Sequence, residues 1–522
     1  MTKTKEKKER KPLTSLSELE YLQLPKFKKF LYKLLSFFKA IPRWFLNLFK
    51  KIGRFFKKVG LKIADEAKDI FLTFKNGDWK TRMSYLIFGF GHLSRGQILR
   101  GLFFLFFQLV FVVYLIFGGA HWLSMLGTLG KVGPHTEWVD VGGIDVEKTI
   151  YGDNSFRILL YGILTIFFIV AYIYTWRVNI KQNKIAEEIL KTGKPLKSGK
   201  DDLHSLVDDQ FHKTLLALPL TGILIFTVLP IVFMIIIAFT NYDAQHNGYT
   251  NNLFTWIGLD NFNQLVNFKK GSNNFSATFG EILGWTLMWA FFATFTNYFL
   301  GMFVAIMINK KGIRIKKFWR TVLVMTIAIP QFVSLLYVSK MFATDGIING
   351  WLKELGWIKE SIRWWEEKWP ARILVILINI WIGIPYLMLI ATGILMNIPA
   401  DLYESAKIDG ASVWQQYTKI TLPYMLFVTG PYLLTSFIGN INNFNVIYLL
   451  TNGGPTNPNG SSAGGSAGYT DLLITWLFKI TTVDSNYKLA AVIGIMVFVV
   501  VAVISLIVYN ILPATKNEED FS

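Results

Sequence analysis

Long apolar runs, interrupted by short polar stretches, dominate the chain. Crossing the hydrocarbon of a bilayer as a helix takes about 20 apolar residues. Eight stretches reach that length: 98–117, 158–176, 214–239, 282–308, 319–341, 373–396, 424–450 and 489–511. They predict eight transmembrane helices, here spans one to eight. Another run, Met83 to Phe90, is too short to cross. With Gly89 and Gly91 at its end, it reads as an interfacial or re-entrant lead-in to span one. Upstream the period changes. Phe27, Phe30, Leu31, Leu34, Leu35 and Phe38 recur every three or four residues, with Lys26, Lys28, Lys29 and Lys33 between them. After Pro42 the pattern resumes with Trp44, Phe45, Leu48, Phe49, Ile52, Phe55, Phe56 and Val59. Arg43, Lys50, Lys51, Arg54, Lys57 and Lys58 fill the other face. This predicts two basic amphipathic helices lying on the inner leaflet. The first 25 residues lack an apolar core, so no cleavable signal peptide is expected.

Composition agrees with an all-α polytopic membrane protein. Of 522 residues, 52% are hydrophobic and only 17% charged, against about 25% in soluble domains. There is no cysteine, which excludes disulfides, thiolate metal sites and thiol nucleophiles. Net charge is +19, of which residues 1–82 carry +14. No nucleic-acid motif accompanies that block, and its greasy aromatic faces suit a membrane surface better. Loop charge sets the orientation. With the N-terminus inside, inner segments hold 41 Lys and Arg and outer segments 12; without residues 1–82 the balance is still 19 to 12. Both termini are therefore expected in the cytoplasm. The outer loop 342–372 has five basic residues, but Glu354, Glu360, Glu366 and Glu367 offset them, and its five tryptophans suggest interfacial helices. Four regions result: a basic surface segment (1–82), the lead-in with spans one and two and a cytoplasmic linker (83–212), a core (213–512) and a short cytoplasmic tail (513–522).

Apart from their ends, the spans contain no Asp, Glu, Lys or Arg, and all six histidines lie outside them. Proton-coupled and voltage-sensing devices need intramembrane ionisable groups, so this pattern argues against both. Sodium coupling through backbone carbonyls survives. So does a neutral substrate driven by energy supplied elsewhere. No GxxxxGK[ST] phosphate loop is present, so an ATP-driven system would need its engine on another chain. No metal-ligand set or catalytic constellation stands out. What the spans do carry is neutral polarity. Span seven has Asn440 and Asn443 on one helical face. Span six has Asn379, Gly383 and Tyr386 on one face, and span five has Pro330 and Gln331 near its middle. Amides that bond hydroxyls, beside rings that cover a pyranose face, suit a sugar. The same residues also serve as glue between helices. On spacing alone both readings stand.

Between spans six and seven lies Ile398 to Pro423. Asp401 with Glu404 three residues on, and Ser412 with Gln415, predict two capping boxes. Gly410 is a natural helix stop between them. Leu402, Ala406 and Ile408 give the first helix contact positions. A small capped helix on the aqueous side is a natural docking element or a re-entry turn.

Glu404-Ser405-Ala406, Gly410 and the downstream Ile420-Thr421-Leu422-Pro423 resemble the EAA signature of ABC-importer permeases. Ser405 stands where the family has Ala. The resemblance implies a type I permease core in spans three to eight and a coupling helix docked on an ATPase. Glu404, Ser405, Ala406, Asp409 and Gly410 would lie at that contact. Asn440-Ile441-Asn442-Asn443-Phe444, then Leu449-Leu450-Thr451-Asn452-Gly453-Gly454-Pro455 and Gly468-Tyr469-Thr470-Asp471, are similar to the larger membrane subunit of maltose/maltodextrin importers. Positions matching Asn379, Gly383, Tyr386, Asn440 and Asn443 contact sugar there. In span five, Ile327 and Gln331 stand where that subunit has Tyr and Ser. The large domain that the best-known members carry between spans three and four is replaced by about 40 residues, 240–281.

The resemblance implies a subunit that imports maltodextrin-like oligosaccharides without a cofactor of its own, ATP and Mg²⁺ belonging to the partner. The partners implied are a second homologous permease, an ATPase dimer and an extracytoplasmic solute-binding protein, with the lipid bilayer around them and no nucleic acid. The alternatives are another oligosaccharide or a polyol as cargo, or an ion-coupled secondary sugar carrier.

Overall fold

The computed structural model describes residues 25–140, 142, 144–266, 275–310, 312–458 and 467–511. The tail 513–522, and the apolar side chains from Phe27 to Ile52 named above, lie outside the described residues. Among the described residues, seven helices are long and apolar enough to cross a membrane: Ile98–Met125, Ser155–Lys191, Phe211–Ile237, Phe275–Asn309, Lys368–Leu395, Val413–Thr451 and Tyr487–Tyr509. The remaining predicted span, five, is a bent pair, Lys316–Ala328 and Gln331–Met341, meeting at 89°. Pro330 explains the break. It disfavours helical backbone at the residue before it, and Ile329 is extended with ψ 126°.

Three features differ from the sequence expectation. The two amphipathic helices are a single helix, Lys26–Asn76, running through Pro42. A two-stranded antiparallel hairpin, His135–Asp140 with Asp145–Ile150, stands between spans one and two. Its strands are exposed on both faces and show no inside–outside alternation to read. Span seven is interrupted at Asn442, with Leu422–Ile441 before the break and Phe444–Thr451 after it.

Chain contacts divide into two compact units, residues 1–116 with 167–215 and residues 117–166 with 216–522. The first unit is organised by buried polar groups. The Arg95 guanidinium donates to Asp78 (2.6 Å), Thr81 (2.7 Å) and Asn183 (2.9 Å). Gly89, in the left-handed region at φ 74°, lies so close to Gly101 that a Cβ would fall 2.0 Å from the Gly101 carbonyl oxygen. The Met83–Phe90 lead-in therefore folds back on the start of span one.

In the second unit, spans four and six form the axis. One apolar cluster joins Trp285, Trp289 and Ala293 of span four to Leu374, Val375 and Ile378 of span six, with Val446, Ile447 and Leu450 completing it. A second joins Tyr298, Met302 and Ala305 to Met388, Ala391 and Met425. Burial of this order, at about 25 cal/mol per Å² of apolar surface, is what holds a bundle's protein-facing side. At the ends of these spans, Glu281 pairs with Lys368 (2.6 Å) and Arg372 (3.7 Å). The shortened 240–281 segment is pinned from within the unit. Asp243 accepts from Lys488 at 2.6 Å, and Trp256 Nε1 donates to the Leu126 carbonyl at 2.9 Å. Burial alone would raise the Asp243 carboxyl, but the Lys488 and His246 hydrogen bonds outweigh it and pull the pKa down to about 2.

Candidate functional site

The predicted polar residues fall into three groups. The first is a cleft at the bend of span five. Gln331 starts the second half of that span, one residue after the proline. With Thr326, Ile327, Pro330 and Ser334 it faces Trp381, Ile382 and Tyr386 of span six across a cleft of about 380 Å³. Two aromatic rings, an amide and two hydroxyls thus surround one hollow. Tyr386 and Trp381 are both half-exposed. The cleft lies at the 89° bend between the two half-helices, where residues 325–332 are exposed.

The second group lies in the seam between spans four and six. Gly383 abuts Asn297; a Cβ there would fall 2.4 Å from the Asn297 amide nitrogen. Asn297 Nδ2 donates to the Ala293 carbonyl at 2.8 Å and reaches the Asn379 carbonyl at 3.5 Å. Asn297 Oδ1 is buried with no partner among the described residues. Asn379 is buried here too. So Asn379 and Gly383 meet Asn297, and Tyr386, a turn further on, turns to the cleft.

The third group holds the interruption of span seven. Asn440 Nδ2 donates to Thr294 Oγ1 at 3.0 Å, and Trp289 Nε1 donates to the Asn440 carbonyl at 3.1 Å. Asn443 caps the following half-helix by accepting from Val446 N at 3.2 Å. Neither Asn440 nor Asn443 lines the cleft. Thr294 and Asn297 sit one turn apart on span four, at a π-helical stretch over Phe292–Thr296. Span four thus ties the second and third groups together.

A larger hollow of about 1000 Å³ opens among Phe291, Phe295, Phe427, Phe437 and Ile504. It offers hydrocarbon where a sugar needs hydrogen bonds, so the smaller cleft is the better candidate.

Loop 398–423 has the expected helix–turn–helix form: Ala400–Ile408, a left-handed Gly410 at φ 74°, and Val413–Gln416. The second capping box forms, with Ser412 Oγ accepting from Gln415 N and Ser412 N donating to Gln415 Oε1 at 2.7 Å. The first does not. Pro399 takes the N-cap position, leaving Asp401 inside the first turn, where its charge still favours the helix dipole. Glu404, Ser405, Asp409 and Gly410 are exposed, while Ala406 is half-buried. Tyr403 OH bonds Thr421 Oγ1 at 2.8 Å and so fixes the first helix to the base of span seven. Ile408 is 86% exposed, Val413 82% and Trp414 70%. Three large apolar side chains ring Gly410 in the open, a pattern that marks a contact surface.

Trp381, Ser334 and Thr326 in the cleft, Asn297 and Thr294 in span four, and Val413 and Trp414 in the loop are not among the residues predicted from the sequence. Val413-Trp414 carried a readable signal: bulky apolar residues in a segment assigned to water. The others carried none, since a Trp or Thr in a membrane helix is ordinary.

Residues 297–517 match the family of binding-protein-dependent transport system inner membrane components. The chain is 32% identical over 449 residues to the maltodextrin transport system permease protein MalC of Streptococcus pneumoniae serotype 4, covering 84% of this chain and 97% of that protein. It is 33% identical over 435 residues to the galactooligosaccharides transport system permease protein GanP of Bacillus subtilis, covering 83% and 97%. Against the maltose/maltodextrin transport system permease protein MalF of Escherichia coli K12, it is 34% identical over 233 residues, 44% of each chain.

Proposed function

Because the chain belongs to the family of binding-protein-dependent transport system inner membrane components, we propose that it is the permease subunit of an ATP-driven importer carrying maltodextrin-like oligosaccharides across the membrane. The observation that carries the substrate class is the match along 97% of a maltodextrin permease. The cleft agrees with it in chemistry. Tyr386 and Trp381 rings would cover the apolar face of a glucosyl unit, while Gln331, Ser334 and Thr326 bond its hydroxyls. Asn379, Gly383, Asn440 and Asn443 would shape the continuation of the path by setting how closely spans four, six and seven approach.

ATP hydrolysis belongs to a separate ATPase pair. Loop 398–423 would dock there through Glu404, Ser405, Ala406, Asp409 and Gly410, with Ile408, Val413 and Trp414 supplying apolar contact. Such docking would put the loop, and with it both termini, on the cytoplasmic side. A second, homologous permease would close the exposed side of the cleft, and a solute-binding protein would deliver sugar on the outer side. Closure of the ATPases then moves the loop, and the Tyr403–Thr421 bond passes that motion to span seven.

The GanP match favours one rival cargo, a galactooligosaccharide. Co-purification followed by ATPase assays separates the possibilities. A second permease and an ATPase should accompany the chain. Maltotriose-loaded binding protein should stimulate hydrolysis, and a β-galactooligosaccharide should not. The reverse preference would replace the substrate class. Uptake by the isolated chain under an ion gradient, with no ATPase present, would end the proposal altogether.

A further inference from the structure

The C-terminal third of the long basic helix Lys26–Asn76 is tied to the unit it belongs to by ion pairs and hydrogen bonds. Glu66 and Asp69 pair with Arg177, and Lys184 reaches Asp69 at 2.7 Å. The Lys184 hydrogen bond is the main cause holding the Asp69 carboxyl below its usual range. Tyr85 OH donates to the Ile70 carbonyl at 2.7 Å, and Arg82 donates to the carbonyls of Phe74 and Lys75. Arg177 directly follows the apolar run of span two, and Tyr85 packs its ring on Trp176. The helix is therefore clamped at the level where the chain leaves the hydrocarbon.

At 100° per residue, Phe55, Phe56, Val59, Ile63, Ile70 and Phe74 share one arc, and Lys50, Lys51, Arg54, Lys57, Lys58 and Lys62 fill the opposite side. At the clamp, the apolar arc meets Tyr85 through Ile70 and Phe74. Beyond the clamp most of the same arc is bare: Phe55 is 62% exposed, Phe56 67% and Ile63 64%, with Val59 half-buried between them. An apolar arc that starts at the membrane rim and continues uncovered, backed by six cations, matches one surface in charge and polarity.

We propose that residues 50–63 lie on an anionic phospholipid surface. The aromatic arc sinks to the boundary of headgroups and acyl chains, and the cations reach phosphates on either flank. A nucleic acid would bind the cations and leave the phenylalanines in water. This goes beyond the transport reading and depends only on the chain being embedded in a bilayer.

Because the protein contains no cysteine, single-cysteine labels report cleanly. The full-length chain, carrying Phe56→Cys or Lys57→Cys with an environment-sensitive fluorophore, is reconstituted in nanodiscs of phosphatidylcholine with or without phosphatidylglycerol. With phosphatidylglycerol, the label at 56 should shift to the blue and be quenched by spin-labelled lipid, while the label at 57 stays open to aqueous quencher. Replacing Lys50, Lys51, Arg54, Lys58 and Lys62 with Gln should abolish the lipid quenching, as should high salt, with tryptophan-monitored unfolding unchanged. Equal aqueous access at 56 and 57 in both lipids would overturn the proposal. Equal quenching with and without phosphatidylglycerol would overturn the anionic requirement. Protection of residue 56 only after adding the partner ATPase, or RNA, would assign the surface to that partner instead.

Discussion

Spans four and six, and the two halves of span five, solve opposite problems with similar amino acids. In the four–six seam, Gly301 lets Leu387 approach and Gly383 lets Asn297 approach, so the two backbones close on each other. In span five, Pro330 opens the helix and leaves its neighbours uncovered. The first arrangement is rigid because packed interiors have no slack. The second is unfinished, with polar and aromatic groups facing a hollow that this chain alone does not close. Small residues close a seam, proline opens a cleft, and the transport reading needs both: a fixed wall and an adaptable one.

The contrast can be broken most forcefully at Gly383. Gly383→Leu should wedge the seam and cost about 3 kcal/mol, the upper range for overpacking, read as a lower melting temperature in detergent. Gly393→Leu in the same helix, where nothing lies within 4 Å, should leave melting unchanged. If both variants melt like the parent, the seam is not rigid.

Glu404→Lys and Gly410→Pro act on the loop, away from both walls. Proline cannot adopt the φ of 74° found at Gly410. Sugar-stimulated ATP hydrolysis by the assembled transporter should fall roughly tenfold or more, as expected when an interface charge is reversed. Insertion of the permease should be unaffected. Normal coupling would remove the loop from the ATPase contact.

Tyr386→Ala with Gln331→Ala tests the open wall. Losing one ring contact and one hydrogen bond should weaken transport roughly tenfold, with unfolding and ATPase assembly intact. Unchanged uptake would leave the cleft without a sugar.

The smallest expected effect concerns a pin outside both walls, where Asp243 of the 240–281 segment meets Lys488 at the start of span eight. The Asp243 carboxylate is held near pH 2, below its ordinary 3.8. Its stabilising contribution is therefore complete above about pH 4 and lost as pH falls toward 2. Asp243→Asn should cost about 1 kcal/mol at pH 7, the full linkage value being reduced by solvent screening of the partly exposed pair, and nothing further on acidification. The wild-type and variant melting temperatures should converge at low pH; a constant gap would show that the Lys488 pair is not its source.

Much of the architecture was legible because bilayer thickness imposes a length and a polarity that no tertiary contact needs to supply. Spans one, two, three, four, six and eight follow directly from that rule. The turn of loop 398–423 was legible through Gly410 and the Ser412–Gln415 box, both local devices. The first capping box failed because Pro399 preceded Asp401 and took the cap. The hairpin at 135–150 was silent because neither face is buried, so nothing forced alternation. Pro42 predicted a break that the long helix does not show.

Residue spacing placed Asn379, Gly383 and Tyr386 on one face, and that much was a property of the helix alone. Which neighbour each would meet was not. Asn379 and Gly383 went to Asn297 and Tyr386 to Gln331 because span four fills one part of that face and the bend at Pro330 vacates the next. A sequence fixes period, length and charge through interactions a few residues apart. Long-range packing decides which polar groups are spent on holding helices together and which stay free to meet a solute.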